Sequence, residues 1–238
     1  MFSKAALALA VIVVALTGAA RADFVFGGRA YGALSPGIVD PPIADTGALP
    51  PGGGALSAHM DNFSFMGLVT SGALNAQTMG AGVLATSDAS IATFHADLRA
   101  LGINFVANAD LIEAHSRADG SAAPVSVIGS AMFTNLVVNG VTLNPTASAN
   151  TMVPLGAAGF LVLNEETSSM TATDGNVSVS AVHVHLTGGI EIFLAHAESS
   201  ISSQQAVVPE PATWMLLGVG ILGLVGFATR YRSCRREF

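Results

Sequence analysis

The chain has one cysteine, Cys234, and one lysine, Lys4, and neither falls in its long middle. From Asp23 to Val207 there is no tryptophan and a single tyrosine, Tyr31. A middle without cysteine forms no disulfide, so packing or an ion has to supply its stability. Its only basic residues are Arg29, Arg99 and Arg117, set against fourteen acidic ones. That balance repels nucleic acid and anionic headgroups and suits soluble display or divalent cations, so no nucleic-acid partner is expected. The missing tryptophan removes the broad amphipathic surface on which sugar rings usually stack. No G-x-S-x-G, P-loop, dinucleotide fingerprint or Cys/His zinc spacing occurs. The protein is therefore expected not to be an enzyme and to need no cofactor.

What the sequence does contain is concentrated at its ends. Lys4 precedes an apolar run from Ala5 to Leu16, and Ala20-Arg21-Ala22 offers the small residues that signal peptidase reads. Residues 1–22 read as a secretory signal cut after Ala22. Near the other end, Ala212 to Thr229 is an apolar run of 18 residues. As a helix it is about 27 Å long, enough to cross a bilayer's hydrocarbon core. Arg230, Arg232, Arg235 and Arg236 follow, which places that end in the cytoplasm, with Trp214 at the opposite interface. Pro209 and Pro211 fix φ and lack an N–H, so Glu210 sits in a rigid, extended, unpaired segment just before the span. A permanent anchor needs no such segment, whereas a membrane-embedded processing enzyme can grip it.

Val208-Pro209-Glu210-Pro211, one span and an arginine cluster, in that order, resemble the PEP-CTERM sorting signal of Gram-negative bacteria. The resemblance implies an inner-membrane intermediate, cleavage by an exosortase near Pro-Glu-Pro, and delivery to the cell surface or an extracellular polysaccharide matrix. The chain thus divides into residues 1–22, an exported domain over 23–205, and a sorting segment over 206–238, with the helix at 212–229 and the tail at 230–238.

Within the exported domain, β-patterned runs recur at Ala55–Val69, Val83–Leu98, Ile103–Ala114, Val125–Val138, Thr151–Leu163 and Val177–Ala197. Turn signals separate them: Asp119-Gly120, Asn139-Gly140, Asp174-Gly175-Asn176 and Gly188-Gly189. This predicts a mainly β, antiparallel sandwich or barrel-like single domain, with a β-solenoid as the alternative. Asn104–Ala114 also fits a short helix. Ser35–Gly54, with five prolines and five glycines, reads as an irregular surface loop. Small residues throughout predict closely packed strands, and Phe63, Phe65 and Phe193 read as core. In "VSVSAVHVHLTGGIEIFLAH" a two-residue Gly188-Gly189 turn pairs Thr187 with Ile190, Leu186 with Glu191 and Val184 with Phe193.

"RAYGA", "GSAMFTNLVVNGVTLNP", "GFLVLNEET" and "SAVHVHL…IEIFLAHAES" follow one another across residues 29–200. Together they resemble the choice-of-anchor P family of exported bacterial proteins. The resemblance implies a β-rich exterior domain ahead of an interchangeable anchor and a surface location, with no established activity.

Two groups of residues come closest to chemistry. Glu165-Glu166 is the only adjacent carboxylate pair, but neighbours on a strand point to opposite faces and cannot share a substrate as acid and base. His183 and His185 share a strand face, and the hairpin register puts His196 opposite Ala181 on that same face. Three imidazoles at that spacing can hold a transition metal. Glu198 is the only carboxylate expected nearby to orient a ring nitrogen, so the histidines read as structural and no metal is expected. Neither Asp119-Gly120 nor Asp174-Gly175-Asn176 has the spacing of a calcium loop, and both read as turns. The composition leaves three functions to weigh: a non-enzymatic surface protein, a binding module for extracellular polysaccharide, and a hydrolase acting on that polymer.

Overall fold

The computed structural model describes residues 23–204. Ala20 and Ala22 of the signal, Val208–Pro211, the 212–229 span and the four terminal arginines lie outside the described residues. Among the described residues, no helix is long and apolar enough to cross a membrane.

Strands succeed one another almost without interruption. The first seven are β1 (Asp23–Ser35), β2 (Val39–Ile43), β3 (Gly54–Met60), β4 (Ser64–Phe65), β5 (Val69–Thr70), β6 (Leu74–Ala81) and β7 (Leu84–Asp97). Then come β8 (Val106–Asp119), β9 (Ser126–Thr134), β10 (Val137–Val138), β11 (Val141–Thr142) and β12 (Thr151–Pro154). β13 (Gly159–Met170), β14 (Asp174–Leu186) and β15 (Ile190–Gln204) complete the set. They form two sheets. The first has the order β12-β13-β14-β15-β1-β2. The second is built on the long β7–β8 hairpin, with β6 and β3 or β5 and β4 beyond β7, and β9 or β10 and β11 beyond β8. Among the described residues both sheets keep open edges, so this part of the chain is a sandwich; the barrel-like and solenoid alternatives do not hold for it.

Alternating burial explains the layering. On β6, Leu74, Ala76, Thr78 and Gly80 turn inward while their neighbours face solvent. Leu74, Ile91, Ile112, Leu161, Leu163, Val177 and Val179 fill the space between the sheets, each fully buried. Each contributes about 1.5–3 kcal/mol by leaving water. Many of the other facing residues are Ala, Ser and Gly, as the composition predicts, and around Ser87 and Ser116 the sheets meet through hydroxyls. Ser87 Oγ donates to the Glu198 carbonyl at 2.6 Å and accepts from Thr78 Oγ1 at 2.7 Å. Ser116 Oγ pairs with Ser199 Oγ at 2.8 Å. Paired in this way, buried hydroxyls avoid the cost of losing water.

A crease runs across each sheet. Thr93, Asn135, Asn164 and Ala195 have φ of 54°, 53°, 49° and 50°, in the left-handed region. Where they occur, the in–out alternation reverses. β7 buries Ala85, Ser87, Ala89 and Ile91, then Phe94 and Ala96. β14 buries Val177, Val179 and Ala181, then Val182, Val184 and Leu186, and β15 reverses between Leu194 and Ala195. The register sets Asn164, Ala181 and Ala195 in one transverse row, so neighbouring strands reverse together and pairing continues on both sides.

Several expectations need correction. Val106–Asp119 is a strand along its whole length, so the helix reading of Asn104–Ala114 fails: Ala107 and Ala109, then Ile112, Ala114, Ser116 and Ala118, face inward. Ser35–Gly54 is not wholly irregular. It contains edge strand β2, and its later part is tied to β1 through Thr46 N–H to Ala30 O and Leu49 N–H to Gly28 O. An edge position tolerates the missing proline donors. Asp174-Gly175-Asn176 opens β14 and is no turn. The last hairpin pairs Leu186 with Ile190 and His183 with Phe193, one residue away from the expected register. Its loop has three residues, Thr187 to Gly189, with both glycines left-handed (φ 89° and 78°). A left-handed residue closing a three-residue loop is a common hairpin form.

Candidate functional site

The outer face of the first sheet gathers Glu165, His183, His185, Glu191 and His196. Because Val182, Val184 and Leu186 face the core, His183 and His185 face outward. Two rows cross β14 here: Val162–His183–Phe193 and Phe160–His185–Glu191. The rings of His183 and His185 lie 3.9 Å apart between centroids. Phe193 stacks on His183 at 3.8 Å and Phe160 on His185 at 4.4 Å. Phe193 is thus an outer-face cover for a histidine and not a core residue. Under this cover His183 is only 6% exposed, although it stands on the outside of a sheet.

Carboxylates approach from both sides. Glu165 Oε2 lies 2.7 Å from His183 Nδ1, and Glu191 Oε1 lies 3.5 Å from His185 Nδ1. A carboxylate only accepts, so the proton of His183 sits on Nδ1. Its Nε2 is buried and has no hydrogen-bond partner. Burial pushes the His183 imidazole below its ordinary range, against the opposing pull of Glu165. The ring is therefore neutral at pH 7. One ligand atom from each of Glu165, His183 and His185 falls within 4.8 Å of the others. Two imidazoles and a carboxylate are a donor set suited to zinc and similar ions.

His196 stands apart. It stacks on Tyr31 with 4.5 Å between centroids, and its Nδ1 is 2.9 Å from Ser180 Oγ. Burial, then Arg29, pushes its imidazole down to about 4. Burial raises Tyr31 to about 12. Arg29 lies over the Tyr31 ring, 5.8 Å from its centroid, and forms a two-pronged pair with Asp45 at 2.9 and 2.7 Å. That pair holds the Asp45 carboxyl below its usual range.

The second sheet's outer face carries a polar trough of about 620 Å³. His59, Asn75, Ser90 and Glu113 form one cross-strand row, and Ser57, Gln77, Asp88 and His115 the next. Gln77 Nε2 donates to Asp88 at 3.2 Å, and His115 Nδ1 lies 2.6 Å from the other Asp88 oxygen. The hydrogen bond to Asp88 raises His115, and the one to Asp61 raises His59.

Of the three histidines singled out from sequence, the structure brings His183 and His185 together and puts Glu165, not His196, beside them. His183 and His196 do share a face, but for another reason than the one expected. The register is one residue off, and the left-handed Ala195 turns the following side chains over. Glu198 is not the acid that orients a ring; Glu165 is. Glu165 and Glu166 point to opposite faces, as expected. The Glu166 carboxyl carbon lies 3.0 Å from where a side chain would begin at Gly129 of the opposite sheet. Asp119 accepts from Arg117 and Ser121, and Asp174 from Thr173 and Ser202, so local donors occupy both. The trough residues went unnoticed in the sequence. Their signal is alternation of His, Asn, Gln, Asp and Glu on the solvent side of four strands.

No curated protein and no solved structure matches the chain. Residues 207–233, beginning just past the end of β15, match the family model of the PEP-CTERM protein-sorting motif, and such motifs direct exported proteins through an exosortase to the cell surface.

Proposed function

We propose that the protein is a non-enzymatic component of the cell surface or its extracellular matrix. On this reading signal peptidase removes residues 1–22, and the 212–229 helix holds an inner-membrane intermediate. An exosortase then cuts near Pro209-Glu210-Pro211 and releases the β-sandwich. The likeness of residues 29–200 to the choice-of-anchor P family points the same way. The match of residues 207–233 to the sorting motif carries the proposal. Intact-mass analysis of surface-extracted protein tests it: the expected species starts near Asp23 and ends near Pro-Glu-Pro. Replacing Pro209-Glu210-Pro211 with three alanines should leave the circular dichroism unchanged and the protein in the membrane. A species ending in Phe238 in exosortase-bearing cells would reduce the tail to a plain anchor.

A second reading, a binding module for extracellular polysaccharide, draws on the polar trough. Amide, carboxylate and imidazole groups in two parallel rows suit a hydroxyl-rich chain without any aromatic platform. A glycan array tests it, with Asn75→Ala/Gln77→Ala as the control. Retained glycans that ignore this double substitution would exclude the trough.

A further inference from the structure

We propose that Glu165, His183 and His185, joined by Glu191, form a binding site for one divalent transition-metal cation of the zinc class. By sequence, Glu198 is the only carboxylate expected beside these rings. In the structure Glu165 brings a carboxylate to 2.7 Å from His183 Nδ1, within reach of an ion bound there. Residues from three adjacent strands converge: Glu165 on β13, the two histidines on β14, and Glu191 on β15. The Asn164 crease lies immediately before Glu165 and reverses side-chain direction there, which places its carboxylate on the histidine face.

Two observations favour a ligand over packing alone. Ligand atoms of Glu165, His183 and His185 already lie within 4.8 Å of one another. An ion about 2.1 Å from each would hold tetrahedral ligand atoms about 3.4 Å apart, so closure needs side-chain adjustment of about an ångström. An ion held between Glu165 and His183 takes the place of the Nδ1 proton that the two now share at 2.7 Å. Phe160 and Phe193 stack on the two rings and limit their rotation. Fixed imidazoles lose less freedom when they take up a metal. With no disulfide available, an ion across β13, β14 and β15 would add a cross-strand tie.

The test uses the full-length chain, purified in detergent without a polyhistidine tag, stripped with chelator and titrated with zinc chloride by calorimetry. One equivalent per chain is expected, together with a melting temperature that rises with the logarithm of free zinc. Glu165→Gln and His185→Gln, both at partly exposed positions, should keep the β-sheet circular dichroism. Each should weaken binding at least tenfold. His196→Gln should bind as the wild type does. No saturable uptake of zinc by the wild type would overturn the proposal. Uptake that persists in the Glu165→Gln/His185→Gln double variant, or that is lost instead in His115→Gln, would overturn it as well, by placing the ion elsewhere.

Discussion

His196 should cost the sandwich stability in mild acid, and His196→Phe should remove that contribution. The wild-type imidazole titrates at about 4 in the folded chain and near its ordinary value of about 6.5 when unfolded. Above pH 7.5 both states are neutral, and the group adds no pH dependence. As pH falls below 6.5 the unfolded chain takes up a proton that the folded chain refuses, so stability is lost, and the loss levels off near pH 4. Linkage makes the loss about 2 kcal/mol by pH 5 and about 3 kcal/mol by pH 4. Phenylalanine preserves the stack on Tyr31 but strips Ser180 Oγ of its 2.9 Å partner. That costs about 1 kcal/mol at neutral pH. The variant should therefore be the less stable protein at pH 7.5 and the more stable one at pH 5, with a crossing near pH 6. Urea unfolding from pH 7.5 to 4.5 reads this directly. His183, shifted down, and His59 and His115, shifted up, contribute to both proteins and cancel in the difference. Asp97 and Asp119, held at about 2, lose their contribution only as pH falls below the ordinary carboxylate value, beneath this window. Parallel curves for the two proteins would refute the assignment of the acid response to His196.

Other substitutions probe the fold itself. Gly28→Ala should destabilise by about 1–3 kcal/mol in urea, because its new methyl would meet Thr78 Oγ1, Ser87 Oγ at 3.0 Å and the Glu198 carbonyl at 3.1 Å. An unchanged midpoint would show that the sheets can separate there. Ile112→Ala, at a site with no exposure, should cost about 2–5 kcal/mol with an unchanged denaturant slope. Thr93→Gly should raise stability by about 1 kcal/mol, since the exposed, β-branched Thr93 is held at φ 54°. A loss on that substitution would mean that the crease depends on the threonine side chain.

The β class and most strand positions were legible because solvent and core leave a period-two imprint, and because turns demand particular residues. Asn139-Gly140 is the clearest case: it joins Val138 to Val141 with φ of 49° and 81°, as a two-residue primed turn requires. The hairpin at Gly188-Gly189 was equally visible, but its register was not. Glycine permits both two- and three-residue loops, and the choice is made by what Leu186 and Ile190 pack against. Glu165 illustrates the deeper difficulty. Its partner is eighteen positions away, and the alternation that should tell which way Glu165 points is reversed by Asn164. Asparagine tolerates the left-handed region, so that reversal had a faint local signal. Ala195 gave none, because nothing about alanine suggests φ of 50°. It is held there by the row it shares with Asn164 and Ala181, where a reversal on one strand is stable only if its neighbours reverse too. The two errors at this hairpin, a slipped register and an unseen reversal, each move side chains to the other face. They cancelled for His196 and left it beside Tyr31, on the face shared with His183. A carboxylate from β13 then took the place that the third histidine was expected to fill. A constellation built from paired strands is thus decided by transverse rows across the sheet, and a single strand's pattern carries only one point of each row.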